Sequence, residues 1–308
     1  MEPIFWEATI FSSLLTLLGT GLTLTYMTTR VPNFAHGSFA GVGLYLSLTV
    51  AKVWHGDPYR YLPLAFLLSG IVAVSLYISV LRPLMKRNAS LVTLMIATVG
   101  FDLILLAVLN IYADYLSRVQ KVTSRYFVMQ GLDFRWFGYP GLFFVAPIAV
   151  AIILTLIHIS LTKTKFGVAM RATIENPSLA VVMGINTGVI YVVSWFLAGG
   201  LAGVAGSLMA FWFVGNPDVG PALLPSIFAA SIAGGFFNIY GALLGGFLVG
   251  IAEVLGTSYL SAAPPPFGLW VIAYRPIIPL IIIVATLLIT PKGLSGVNWR
   301  ALFRRRMK

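Results

Sequence analysis

Polar and ionisable residues set inside apolar sequence are where this chain could do chemistry, because each costs free energy in hydrocarbon unless something there uses it. The stretch Arg30-Val31-Pro32-Asn33-Phe34-Ala35-His36-Gly37-Ser38 interrupts two apolar runs with a proline, an amide, an imidazole and a hydroxyl. Backbone freed by such a break must be satisfied by protein or water, and polar broken segments often line pathways. Asn33, Phe34, His36 and Ser38 are therefore candidate pathway residues; a plain loop leading into the polar start of a second span accounts for them equally well. A metal site at His36 is disfavoured, since His55 and His158 are distant and no ligand spacing joins the three. So is a Ser38–His36 hydrolase, because residues two apart on a helix do not face one another.

Two acids fall inside predicted spans, Asp102 near the middle of one run and Glu253 toward the external part of another. A central charge costs about 2.5–3.5 kcal/mol on insertion scales. No Lys or Arg lies in the core of another predicted span, so each carboxyl is expected to be water-exposed, hydrogen-bonded or protonated. A structural role, such as bonding the backbone of a broken helix, and a functional one both fit. A third segment runs from 163 to 184, where Asn176-Pro177 makes an N-cap and first-turn pair and Gly184 a stop. This predicts a short helix over about 177–183. A helix of that length is marginal alone in water and must rest on the protein's own surface or on a partner.

Several chemistries are excluded. The chain has no GxSxG, no HExxH and no Walker A motif, since Gly-Lys never occurs, so it does not hydrolyse ATP by itself. It has no cysteine, hence no disulfide, thiolate metal site or Cys nucleophile.

The elements that must position these residues follow from composition. Of 308 residues 9% are charged and 59% hydrophobic, against roughly 25% charged in a soluble domain. Apolar runs fall near 8–28, 34–54, 61–81, 90–112, 141–162, 185–213, 222–236, 240–258 and 270–290. The expected fold is all-α: a single polytopic membrane helix bundle over 1–308, with about nine spans and broken or re-entrant segments. The run at 222–236 is short for a full crossing. Gly37 and Gly41, Gly199 and Gly203, Gly241 and Gly245, and Gly246 and Gly250 each stand four apart, a spacing that lets helices pack closely in lipid.

The net charge of +11 does not indicate nucleic acid, because the basic residues are scattered between apolar runs and clustered in a tail at 292–308. With nine spans, thirteen of the 20 Lys and Arg share one side: Arg30, Arg82, Lys86, Arg87, Lys163, Lys165, Arg171 and six from Lys292 onward. The positive-inside rule then places the C-terminus in the cytoplasm and the N-terminus outside. No Lys or Arg precedes Arg30, so the first span lacks the basic region of a cleavable signal peptide.

NFAHGSFAGVGLYL after the first span, KFGVAMRATIENPSLAVVMGIN before the sixth, and YGALLGGFLVGIAEVL followed by LLITPKGL near the end resemble the permease subunits of branched-chain amino acid ABC importers. The resemblance covers nearly the whole chain in order, and the NFAHG form is similar to the H-type subunit. It implies an importer at the cell membrane, with a second, M-type permease, two cytoplasmic ATPase subunits that bind ATP and Mg, and an external substrate-binding protein. The chain itself would bind no cofactor. The segment 163–184 would be the coupling segment, with Gly167, Arg171, Glu175, Asn176, Pro177, Ala180 and Gly184 at the ATPase. Asp102 would join the pathway residues, while Glu253 with Gly241, Gly245, Gly246 and Gly250 would be structural. Urea and short-amide importers share a similar permease; a proton-coupled secondary transporter is the alternative of another class. The chain departs from the family at Gly234-Gly235-Phe236-Phe237-Asn238-Ile239-Tyr240-Gly241, where Gly-Gly-x-Gly-Ser-x-Pro-Gly is usual. It departs also at Asp102, usually small or apolar, and at Asn216-Pro217-Asp218, which adds an acid to a turn.

Overall fold

The computed structural model describes residues 2–262, 264, 275–290 and 293–296. Its helices are α1 (Glu2–Thr29), α2 (His36–Lys52), α3 (Leu62–Leu76), α4 (Arg82–Lys86), α5 (Leu91–Arg118), α6 (Gly141–Lys163), α7 (Lys165–Glu175), α8 (Pro177–Val182), α9 (Thr187–Met209), α10 (Val219–Ala222), α11 (Leu224–Gly234), α12 (Ile239–Ser261) and α13 (Ile277–Ile289). A π turn at Tyr77–Leu81 joins α3 to α4, and a two-residue hairpin, β1 (Arg135–Trp136) with β2 (Tyr139–Pro140), sits between α5 and α6. The polytopic helix bundle expected from composition is what folds.

The expectation of nine spans is not met by helix length. Among the described residues six helices are long and apolar enough to cross a membrane, the second of them running from Pro58 to Lys86. Of the three remaining apolar runs, α2 has 17 residues, α11 has 11 and α13 has 13. At 1.5 Å per residue α11 reaches about 16 Å, roughly half the hydrocarbon thickness. The basic tail at 292–308 lies outside the described residues except for 293–296.

Helix α1 is the post around which the rest assembles. One face carries Ser12, Thr16, Gly19, Thr20 and Thr23, all small, and these admit the backbones of α12 and α11. A Cβ added at Gly246 would sit 2.5 Å from Thr16 Cα, and one at Gly250 would meet Ser12 Cα. With no hydrophobic drive between helices in lipid, this van der Waals contact is what association rests on. The pairing of Gly246 with Thr16 and Gly250 with Ser12 makes the two helices antiparallel. Gly199 and Gly203 similarly seat α9 on α3, against Ser69 and Ala65. By contrast α5 buries only a stripe, Leu94, Thr98, Asp102, Leu105, Leu109, Ala113 and Leu116, and leaves most of its circumference exposed.

The bundle has two distinct ends. The start of α1, the α5–α6 loop and the end of α9 share one: Trp6 packs on Tyr139, and Phe127 bridges Gly215. Arg30, α7, α8 and the 235–238 turn share the other, where Arg30 Nη2 donates to the Ile174 carbonyl and Tyr26 packs on Phe236. That turn departs from the usual family sequence yet closes normally: Gly235 takes φ 102°, and Asn238 accepts from the Tyr240 and Gly241 N–H groups to cap α12. Gly293, beyond α13, lies against Gly235, so it sits at the end opposite residue 2.

Replacing Gly246 or Gly250 by Leu forces a side chain into the α1 backbone. Overpacking of this kind costs about 1–3 kcal/mol, so each variant should lower the thermal midpoint in detergent and the monodisperse fraction in size-exclusion chromatography, whereas Gly100→Leu, which opens onto empty space, should leave both unchanged.

Candidate functional site

The polar break after α1 folds back into the bundle. Arg30 ends the helix with φ 58°, and residues 31–33 run without regular structure into a turn at Phe34-Ala35 before α2 begins at His36, at the depth of the middle of α1. That depth is fixed by His36 Nε2, which donates to the Leu18 carbonyl at 3.0 Å. Asn33 stabilises the turn by accepting from the Ala35 N–H at 3.1 Å, and the Phe34 N–H donates to Thr98 Oγ1 at 3.2 Å. Asn33, His36 and Ser38 are fully buried, and Phe34 is partly exposed. The candidate pathway residues thus divide: Phe34 and Ser38 meet α5, and His36 meets α1.

Ser38 Oγ donates to Asp102 Oδ1 at 2.5 Å. Ser38 is the third residue of α2, so the carboxyl lies at the first turn of a helix that starts inside the bundle, where unpaired N–H groups carry partial positive charge. Hydrogen bonding, one of the three expected states, therefore describes Asp102. A second broken element adjoins it. Gly220 in α10 packs so tightly on Gly37 that neither admits a Cβ, which brings the 210–222 segment down to the level of the His36 turn.

Glu253 corrects the expectation that no cation would reach a buried acid. Arg275, just ahead of α13, places Nε 2.8 Å from Glu253 Oε1, and its guanidinium covers the Phe11 ring at 4.9 Å. Ser226 Oγ donates to the other carboxylate oxygen at 2.7 Å. Glu253 is 2% exposed and Arg275 about a third, so the pair links the interior of α12 to α11, α1 and the approach to α13. Sequence could not show this because 22 residues separate the partners and Arg275 sits at the margin of an apolar run.

At the opposite end from the hairpin, the segment 163–184 forms two helices rather than the single short one expected. Thr164 Oγ1 accepts from the Gly167 N–H and starts α7; Gly167 itself lies against the Leu161 carbonyl with no room for a Cβ. Arg171 donates to that same carbonyl. Asn176 Oδ1 then accepts from the Leu179 N–H at 3.0 Å, Pro177 takes the first position of α8, and Gly184 ends it with φ 81°. Ala180 is buried, while Glu175, Asn176 and Pro177 are exposed. The residues singled out from sequence are mostly the scaffold of this corner. Beyond the exposed charges at its start, α8 and its end present apolar residues outward: Leu179, Val182 and Met183, at helical spacing, with Val182 82% exposed. Exposed apolar residues in a capped, charged segment were the available signal, and only their context made them unusual.

Among the described residues no cluster of three or more His, Asp or Glu could hold a metal. A bundle of apolar helices with two broken segments meeting inside it, and a capped apolar corner at one end, defines a multi-pass membrane permease. The chain belongs to the family described as the permease component of the branched-chain amino acid transport system, whose pattern matches residues 5–287. It is 49% identical over 303 residues to a probable branched-chain amino acid transport permease protein LivH of Methanocaldococcus jannaschii, covering 98% of this chain and 95% of that one. It is 28% identical over 297 residues to the high-affinity permease LivH of Escherichia coli K12, covering 91% and 90%. A nucleoside ABC transporter permease protein, NupC of Lactococcus lactis, is 34% identical over 131 residues, 37% of this chain and 40% of that one. No solved structure matches.

Removing one partner of a buried ion pair leaves an uncompensated charge and costs about 3–5 kcal/mol when both are fully buried; with Arg275 partly exposed, about 2–3 kcal/mol is expected for Glu253→Ala. Arg275→Ala should cost a similar amount, and the double variant less than the sum. Thermal unfolding of the four proteins in a double-mutant cycle measures the coupling, and strict additivity would show that the pair contributes nothing.

Proposed function

We propose that this permease forms one half of the translocation path of an ATP-driven importer for branched-chain or other hydrophobic amino acids. Support for the substrate class comes from the relatives' names and near full-length coverage. Its partners in this reading are a second, M-type permease, two cytoplasmic ATPase subunits holding ATP and Mg, an external substrate-binding protein and the lipid bilayer. The chain itself is non-catalytic and binds no cofactor. It passes the membrane nine times, three of the passes on helices shorter than a full span, with residue 1 outside and the basic tail in the cytoplasm. The location of Gly293 opposite residue 2 supports an odd number of passes, and Arg30, Lys163, Lys165 and Arg171 gather at the end that carries α8.

The observation that carries the coupling role is the outward apolar face of α8. Leu179, Val182 and Met183 would sit in a groove of the ATPase, so that ATP-driven closure of the ATPase pair pushes on α7 and α8. Through Arg30 and Ile174 the push reaches the end of α1, and from there the His36 turn on the Leu18 carbonyl. Substrate would cross near that turn, between the two permeases, with Phe34 and Asp102 at the edge of the path. An α-ammonium group is the part of an amino acid that a carboxyl held by one hydroxyl can meet.

Val182→Ser with Met183→Ser should leave membrane insertion unchanged and reduce both uptake and substrate-stimulated ATPase activity of the reconstituted complex. Unchanged stimulation would remove α8 from the drive. Asn176→Ala with Pro177→Gly should act in the same direction through loss of the cap, which is worth about 1 kcal/mol. Asp102→Asn should assemble normally and alter transport or the preference between amino acids and amides such as urea. Uptake that persists on a proton gradient without ATP or binding protein would replace the importer by a secondary transporter.

A further inference from the structure

We propose that the β1–β2 hairpin is an interfacial anchor, inserting Trp136 and Phe137 into the headgroup layer of the leaflet at the α1-start end of the bundle. The turn itself is the first observation. Strand pairing of Trp136 with Tyr139 leaves a two-residue loop, Phe137-Gly138, and both residues have positive φ, 49° and 82°. Such a turn strongly favours Asn, Asp or Gly at its first position, because a left-handed backbone brings Cβ against the following carbonyl. Phenylalanine there works against the turn. It does nothing for the core either, since it is 80% exposed. A bulky residue kept in a strained, solvent-facing position calls for an occupant outside the chain.

Position identifies that occupant. Pro140 is followed at once by Gly141, the first residue of α6, so the hairpin stands where a membrane span begins. It is fixed there. Asp133 Oδ2 accepts from the Leu142 N–H, Tyr59 OH donates to Asp133 Oδ1, and the Gly141 N–H donates to the Phe134 carbonyl. Phe137 continues into exposed apolar surface: its ring is 5.1 Å from Trp136, which lies 5.0 Å from Phe144. Phe144 opens the stripe Ile148, Ile152 and Leu156, spaced by four along α6 and all exposed. A surface that is lipid-facing along α6 and turns aromatic at its end has the composition of a bilayer interface, where amphipathic rings concentrate. Arg135 in β1 adds a cation at phosphate level. A docking face for a soluble protein would not need to continue down a membrane span.

The chain has no native cysteine, so Phe137→Cys and, separately, Trp136→Cys can each carry a single environment-sensitive fluorophore. The full chain is reconstituted in phosphatidylcholine vesicles containing phosphatidylglycerol, with and without a nitroxide on the upper acyl chain, and titrated with aqueous iodide. The expected result is blue-shifted emission at both positions, loss of at least half the signal to the shallow nitroxide, and little loss to iodide. Emission as in water with strong iodide quenching and no nitroxide quenching would overturn the anchor. So would shielding from both quenchers that arises only when the binding protein or the second permease is added, which would make the hairpin a protein interface.

Discussion

A helix broken inside hydrocarbon leaves N–H and C=O groups that no water can reach, and the protein must supply their partners from its own interior. In this permease α1 carries most of that burden. Its Leu18 carbonyl takes a second hydrogen bond from His36, its Thr23 hydroxyl pairs with Ser231 of α11 at 2.6 Å, and its small face lets α12 approach to backbone contact. Because α1 is nearly wholly buried, each of these bonds is made in low dielectric, where pairing is strong and failure to pair is costly. The half-depth start of α2 and the tight Gly37–Gly220 contact exist because α1 is there to be leaned upon.

The two intramembrane carboxyls show two solutions to the same desolvation problem. Glu253 has a guanidinium, a hydroxyl and an aromatic ring arranged around that guanidinium, so both its oxygens are engaged from separate elements. Moving any one of those elements breaks a bond to a buried charge, which makes the region resist change. Asp102 has one hydroxyl and the start of a helix. It lies on the narrow buried stripe of α5, and its second oxygen has no side-chain partner among the described residues. The two acids thus differ in how many elements hold them: Glu253 joins α12 to α11 and to the approach of α13, and Asp102 joins α5 to α2.

Much of this was legible in the sequence, and the reasons differ by element. Apolar runs located the helices because hydropathy reports on the bilayer directly. Asn176-Pro177 and Gly184 located α8 because capping is local chemistry. Glycines four apart marked the α12 seam but not its partner, since the spacing says only that something comes close. The Glu253–Arg275 pair stayed hidden because it spans 22 residues and depends on how α13 approaches the bundle. Helix α7 carries a helical period, with Phe166, Gly167, Met170, Thr173 and Ile174 turned inward, which a search for long apolar runs passes over. In the segment 163–184 the recognisable residues are caps and stops, whereas the apolar outward residues of α8 and its end include Leu179, Val182 and Met183, which look ordinary in a chain that is 59% hydrophobic.

That last point bears on how such a permease can be both stable and movable. The α7–α8 corner is held to the bundle by the buried Met170, Thr173 and Ala180 and by hydrogen bonds at its ends: Thr164 and Arg171 at its start and Arg30 to the Ile174 carbonyl. Each of these hydrogen bonds lies within one turn of a helix end, where bonds are most easily remade. The α8 helix closes its own ends through Asn176 and Gly184, and the Arg30–Ile174 contact joins the corner to the end of α1. From Arg30 only the five residues 31–35 separate that junction from His36. Val31, Asn33 and Ala35 in it are buried, while Pro32 and Phe34 are partly exposed, so the break is anchored in protein at every second residue.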